Sequence, residues 1–171
     1  MMKWVVRALL LVVVVVLGFW AWRHFFPNPE AAIRKQLLEA AKLASFTSRE
    51  SPLAKVANPQ KLLDMCTDDI EIAVDVQGIE RQTIAGKETL ADRVRLARLG
   101  LPGLSVEFLD INVIMTPNNQ GAIANLTAKI KIPGDREFYP QELKFTIKKV
   151  KGKWLIRKIE TVRTLSSLNP L

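Results

Sequence analysis

The apolar positions of this chain fall into distinct regimes, and each predicts a different structure. Near the N-terminus Ala8 to Trp22, ALLLVVVVVLGFWAW, carries no charged side chain. Extended back through Arg7 to Trp4, it becomes a run of about 19 residues, which as a helix spans about 28 Å, close to the ~30 Å hydrocarbon core of a bilayer. Pro27-Asn28-Pro29 ends the run, and Asn28 can cap a new helix whose first residue is Pro29. Ile33, Leu37, Ala40, Ala41 and Ala44 then recur at helical spacing, which predicts a helix to about Ser45. Thr47 to Glu50 reads as a linker. Ser51-Pro52 and Asn58-Pro59 repeat the cap-then-proline signal and predict two short helices.

Period-two alternation follows. Ile70, Ile72, Val74 and Val76 alternate with Glu71, Ala73 and Asp75, as in a half-buried strand, and Gln82 to Ala85 can pair back onto it. Gly86 opens a helix with Leu90, Val94 and Ala97 on one face, while Arg93, Arg95 and Arg98 lie off that stripe. Beyond Gly100 the strands are long. Leu104, Val106 and Phe108 alternate, and the phase then slips to Leu109, Ile111, Val113 and Met115, which predicts a bulge and a bend. After the Pro117 to Gly121 turn, Ala122, Ala124, Leu126, Ala128, Ile130 and Ile132 face one way. Leu143, Phe145 and Ile147 alternate with Lys144, Thr146 and Lys148, and Lys151-Gly152 makes a tight hairpin into a last strand from Trp154 to Val162. The expected fold is α+β: a curved antiparallel sheet wrapped on its helices as a cone-shaped barrel, preceded by one transmembrane helix. The expected domains are an anchor at 1–27 and the α+β domain at 28–171.

A cleaved signal peptide is the alternative for the apolar run, with Lys3 and Arg7 as its basic region. Its C-terminal side, Gly18-Phe19-Trp20-Ala21-Trp22-Arg23, is bulky where cleavage needs small residues. Trp4 on one side and Trp20, Trp22, Phe25 and Phe26 on the other fit interfacial aromatic belts, so an uncleaved anchor at 4–22 is expected. The short tail facing the cytoplasm is the simpler orientation. It makes this a single-pass protein, of the inner membrane in a bacterium, with its domain in the periplasm.

The chain of 171 residues carries a net charge of +8, concentrated late in the sequence. From Gln120 onward the acids are Asp135, Glu137, Glu142 and Glu160, against a run of lysines that includes Lys129, Lys131, Lys144 and Lys148. Those four alternate with Ile130, Ile132, Phe145 and Ile147, so they form one solvent-side face suited to anionic lipid or a protein partner. Beside an anchor, nucleic acid is not expected. The same lysines also discourage edge-to-edge aggregation.

The chemistry available to a catalyst is sparse. His24 is the single histidine and sits at the membrane boundary, which removes histidine-based triads and zinc sites from the domain. Cys66 is the single cysteine, so no internal disulfide forms, and a buried apolar role is expected for it. No P-loop, G-x-G-x-x-G or C-x-x-C occurs. No cofactor and no metal is expected, because Asp68, Asp69 and Glu71 read as solvated turn acids.

Several segments together resemble the nuclear transport factor 2-like superfamily, with its polyketide cyclase-like (SnoaL-like) and ketosteroid isomerase-like members. Pro59-Gln60-Lys61-Leu62-Leu63 before Asp68-Asp69-Ile70-Glu71-Ile72 is similar to the family's short helix, acidic turn and first strand. Ile84-Ala85-Gly86-Lys87-Glu88-Thr89-Leu90 is similar to its Gly-basic-Glu helix start, and Lys149 to Ile156 to its closing Gly-x-Trp-x-Ile hairpin. The resemblance runs from Ile33 to Thr164. It implies a cone with a pocket at its open end, and a homodimer through the sheet. It also implies that enzymes of this fold place an Asp, His or Tyr inside the cone. Asp75, Asp110 and Tyr139 are the residues of this chain that could take that role. Asp75 lies opposite the Ile72/Val74 face, and Asp110 lies at the phase slip. A binding or assembly module is therefore expected in preference to an isomerase, dehydratase or cyclase.

The anchor makes a direct prediction. The full-length chain is expected to sediment with membranes and to resist carbonate and high-salt extraction. Recovery of a soluble mature form that begins after about Trp22 contradicts it.

Overall fold

A computed structural model of the chain describes residues 28–74, 82–134 and 138–162. Among these no helix is long and apolar enough to cross a membrane; the run at 4–22 lies outside them. The elements are α1 (Pro29–Ala44), β1 (Phe46–Thr47), α2 (Pro52–Asp64), β2 (Cys66–Val74), β3 (Gln82–Ala85), α3 (Lys87–Gly100), β4 (Gly103–Met115), β5 (Gly121–Lys131), β6 (Tyr139–Val150) and β7 (Lys153–Thr161).

The helix starts follow their caps. Asn28 Oδ1 accepts from the Ala31 amide at 3.2 Å, and Ser51 Oγ accepts from the Ala54 amide at 3.2 Å, with Pro52 in the first turn. The second cap signal, at Asn58-Pro59, does not start a helix. Pro59 lies inside α2, and the Asn58 amide group donates to Glu50 Oε1 at 3.2 Å instead of capping. The φ of proline suits a helix, and its cost of about 3 kcal/mol is met here by the Ser51 cap and by burial of Leu63 on the same helix.

The strands form one mixed seven-stranded sheet in the order β1-β4-β5-β6-β7-β2-β3. β4 to β7 are antiparallel neighbours, as the alternation predicts. The expectation of a wholly antiparallel sheet needs correction: β2 pairs with β7 in parallel, with Ile72 beside Ile159. This pairing joins residues 87 to 90 apart in sequence, so no local turn fixes it. β3 returns on β2, with Ile84 opposite Ile72.

The phase slip in β4 is a bulge between Leu109 and Asn112 against β5, and Asp110 there has φ 52°. Irregularities at Cys66/Glu71 and Thr146/Ile147 add further bends, and such bulges curve a sheet. The β6–β7 hairpin turns on Lys151 (φ 49°) and Gly152 (φ 82°), the pair of positive φ angles that a tight hairpin of this hand requires. Gly103 faces β1 at close range: a Cβ there would stand 3.0 Å from both the Phe46 carbonyl oxygen and Pro133 Cγ.

The core lies on the concave face. Ala122, Ala124, Leu126 and Ala128 of β5 are buried between Ile111 and Val113 of β4 and Leu143, Phe145 and Ile147 of β6. Ile33 and Leu37 of α1, Leu63 of α2 and Leu90 of α3 join the same cluster. The Phe108 and Phe145 rings meet edge to face at 5.5 Å. Trp154 packs against this cluster half-buried, and its carbonyl accepts from Gln36 Nε2 at 2.7 Å. Cys66 is buried, and burial pushes its thiol up from 9.0 to about 11.

Phe145→Ala is expected to cost about 3–5 kcal/mol and Trp154→Ala, half-buried, about 2 kcal/mol, read by denaturant melts. Equal costs contradict the packing described. The thiol gives a pH prediction. With Cys66 at 9.0 unfolded and about 11 folded, its contribution is fully present below pH 9 and is lost as the pH rises from 9 to 11, by about 2–3 kcal/mol in all. Cys66→Ala should flatten that alkaline slope; an unchanged slope refutes the assignment.

Candidate functional site

The catalytic candidates are not brought together. Asp110 is exposed on the β4 bulge and borders a shallow depression of about 220 Å³ with Asn112, Asn125, Thr127 and Glu142. A residue there with positive φ is unusual, and Asp is among the few that tolerate it. Tyr139 is exposed at the first position of β6, opposite Ile130. Glu142 is opposite Thr127, so Tyr139 sits at least about 10 Å further along the strand from Asp110. Asp75 lies outside the described residues.

The four lysines lie on the convex face, as their alternation requires, but in different surroundings. Lys131 and Lys148 are exposed. Lys129 is half-buried, opposite Glu107, with its ammonium 4.8 Å from the centre of the Phe138 ring. Lys144 shares Glu160 with Lys158, each at 2.9 Å. Lys158 first and Lys144 second hold the Glu160 carboxyl below its ordinary range. This face is thus basic at its ends and neutralised at its middle. Leu109 and Ile114 add exposed apolar surface to it.

The acidic turn is divided between two ion pairs. Asp68 meets Lys87 at 3.2 Å and Asp69 meets Arg157 at 3.1 Å. The Thr67 hydroxyl, and after it Arg157, holds the Asp69 carboxyl below the usual range. Among the described residues no group of three or more His, Cys, Asp or Glu side chains is placed to hold a metal ion.

The larger cavity, about 530 Å³, opens between α2, α3 and the turn after β1. Phe46, Val56, Pro59, Leu63, Leu99 and Leu101 give it apolar walls. Val56 and Leu99 are 74% and 79% exposed at its mouth. Leu53 and Leu96, three residues earlier on the same helices, are 79% and 59% exposed but do not line the cavity. Arg98 forms part of the wall. It donates to Glu50 Oε2 at 2.8 Å and to the Leu43 carbonyl oxygen at 3.1 Å, and its guanidinium lies 4.8 Å from the centre of the Phe46 ring. The Arg98 and Glu50 side chains are 12% and 16% exposed, so the pair works in a partly desolvated setting and ties α3 to the last turn of α1. Lys55 and Arg95 also line the cavity, one from each helix, and among the described residues neither carries an ion pair.

Helical periodicity puts Arg98 off the buried stripe, and that stripe alone gives no groove. The sequence signal is present: Leu53, Val56, Leu96 and Leu99 are apolar residues that the buried faces of their helices do not use. Apolar residues in excess of one stripe point to a second face.

No protein-family model matches the sequence, and no curated protein sequence does. Solved structures do match its fold. A nuclear transport factor 2-like protein of unknown function from Pseudomonas putida aligns over 85% of this chain and 95% of its own, at 12% identity and a TM-score of 0.61. A domain of unknown function with a cystatin-like fold from Nostoc punctiforme aligns over 83% and 81%, at 15% identity and 0.58. A candidate scytalone dehydratase from Novosphingobium aromaticivorans aligns over 79% and 83%, at 14% identity and 0.55. At such identities the likeness carries the fold and leaves the activity open. The described domain has the α+β architecture of nuclear transport factor 2-like, cystatin-like proteins.

Proposed function

We propose that this chain is a membrane-tethered binding module. In this reading residues 4–22 hold it in a bacterial inner membrane, and the domain at 28–171 docks a partner on the periplasmic side. The observation that carries the proposal is the chemistry of the buried layer. Among the described residues Thr67 is the single buried polar side chain, and the cluster on the concave face is apolar throughout. Proton-transfer chemistry calls for an acid or base in surroundings that shift its pKa toward the working pH. Asp110 and Tyr139 lie on the surface and not within that layer, and Asp75 lies outside the described residues. The contact surface of the module is the convex face of the sheet. Lys131 and Lys148 are free to meet anionic lipid or an acidic protein, and Leu109 and Ile114 suit a second copy of the chain.

An isomerase, dehydratase or cyclase working through a strand aspartate is the competing reading. The polar depression beside Asp110 and the likeness to a candidate dehydratase favour it.

One experiment separates the two. Lys131→Glu with Lys148→Glu is expected to reduce binding of residues 28–171 to anionic vesicles about tenfold or more at low salt, since each basic residue near such a surface is worth about 1 kcal/mol. The melting temperature should stay unchanged, because exposed charges contribute little to stability. Asp110→Asn and Tyr139→Phe should complement a deletion strain as well as the parent sequence does. If the lysine changes leave binding intact and Asp110→Asn abolishes complementation, the enzyme reading replaces the binding one.

A further inference from the structure

We propose that the groove between α2 and α3 binds the acyl chain of an anionic amphiphile: a single hydrocarbon chain along its floor and an acidic head group between Lys55 and Arg95. The proposal rests on the reading of the domain as a binding module and names a second site on it, separate from the convex face.

Volume is the first argument. The groove holds about 530 Å³, inside the ~300–1,000 Å³ range of small-molecule pockets. A single hydrocarbon chain, one methylene wide, fits within that volume. Polarity is the second. Phe46, Val56, Pro59 and Leu63 offer an apolar path, and burial of each methylene along it contributes about 0.8 kcal/mol. Charge is the third. Three cationic side chains line the groove against one carboxylate, Glu50, and Arg98 already neutralises that carboxylate at 2.8 Å. Lys55 and Arg95 are then left to face an incoming anion, one from each wall. The Asn58 bond to Glu50 Oε1 and the Arg98 bond to the Leu43 carbonyl oxygen hold Glu50 and Arg98 in place, so they shape the wall without competing for the head group.

The mouth is the fourth argument. Val56 and Leu99 stand in water at the opening, and exposed apolar side chains there suit a surface that meets apolar material. A free fatty acid and an anionic phospholipid present the same chemistry, a hydrocarbon chain beneath a negative head.

The test uses cells expressing the full-length chain. One culture receives a palmitate analogue and another a phosphatidylglycerol analogue, each carrying a diazirine on the chain. After irradiation, labelled peptides are mapped by mass spectrometry. Label is expected on the peptides spanning Val56–Leu63 and Arg95–Leu101. Excess palmitate should compete about tenfold better than hexadecanol, which lacks the charge. Arg95→Glu should erase that preference, and Ala91→Phe, which fills the groove, should remove the label. Leu99→Glu alters an exposed residue that leaves the fold intact, and it should also lower labelling severalfold, so the test does not depend on whether Ala91→Phe folds. Groove labelling by the phospholipid probe alone supports the proposal with membrane lipid as the source. Label scattered over the chain, or groove label indifferent to Leu99→Glu and Arg95→Glu, overturns it. The lysine-reversal experiment on the convex face is unaffected by either result, so this site and the module reading fail separately.

Discussion

Closure of the concave face depends on side chains of unequal size meeting across the sheet. β5 runs between β4 and β6 and turns Ala122, Ala124 and Ala128 inward, where a larger residue would hold the helices off. The small column leaves room for Phe145 from β6, Ile111 and Val113 from β4, and Ile33 and Leu37 from α1. Interiors of this kind are packed nearly as densely as organic crystals, so an added methylene on β5 would be felt by all of these neighbours. The bulge at Asp110 is the second half of the same arrangement. It bends β4 so that Ile111 and Val113 return to the inner face after Leu109 has pointed out. Its left-handed residue stands at the edge of the packed layer.

Polarity is displaced to the periphery as a result. Among the described residues, ion pairs at the surface join Lys144 of β6 to Glu160 of β7, Lys158 to Glu160 within β7, Lys87 to Asp68, and Arg157 to Asp69. Exposed pairs of this sort contribute little to folding, so they set surface character more than stability. Arg98 and Glu50 differ because they are largely shielded and carry additional hydrogen bonds, including one to a carbonyl at the end of α1. Removing one partner there would leave the other charge uncompensated. The pair accordingly fixes the turn after β1 against α3 and so defines one wall of the groove.

Much of this was legible along the chain because it is local. Period-two alternation marks β4 to β7, and the slip between Phe108 and Leu109 marks the bulge. Lys151-Gly152 marks the hairpin, and Asn28 and Ser51 mark helix starts. What stayed hidden depends on partners distant in sequence. The parallel contact of β2 with β7 has no local signature. Pro59 looked like a helix start because the packing of Leu63 cannot be read from its neighbours. The candidate site divides in the same way. Asp110 and Tyr139 stand out by residue type, yet exposure and separation are tertiary facts. The groove arises only when unused apolar faces of two helices come side by side, and Arg98 gains its meaning from Glu50, 48 residues earlier.

The inner face is closed and apolar while the groove between α2 and α3 is open. Paramagnetic relaxation of methyl groups by a soluble gadolinium chelate, recorded by NMR on the full-length chain, tests this most directly. Strong broadening is expected for the Val56 and Leu99 methyls and almost none at Ile111, Val113, Leu126 and Ile147. Broadening of those four to the level of Leu99 would show a solvent-filled chamber behind the sheet in place of a packed layer.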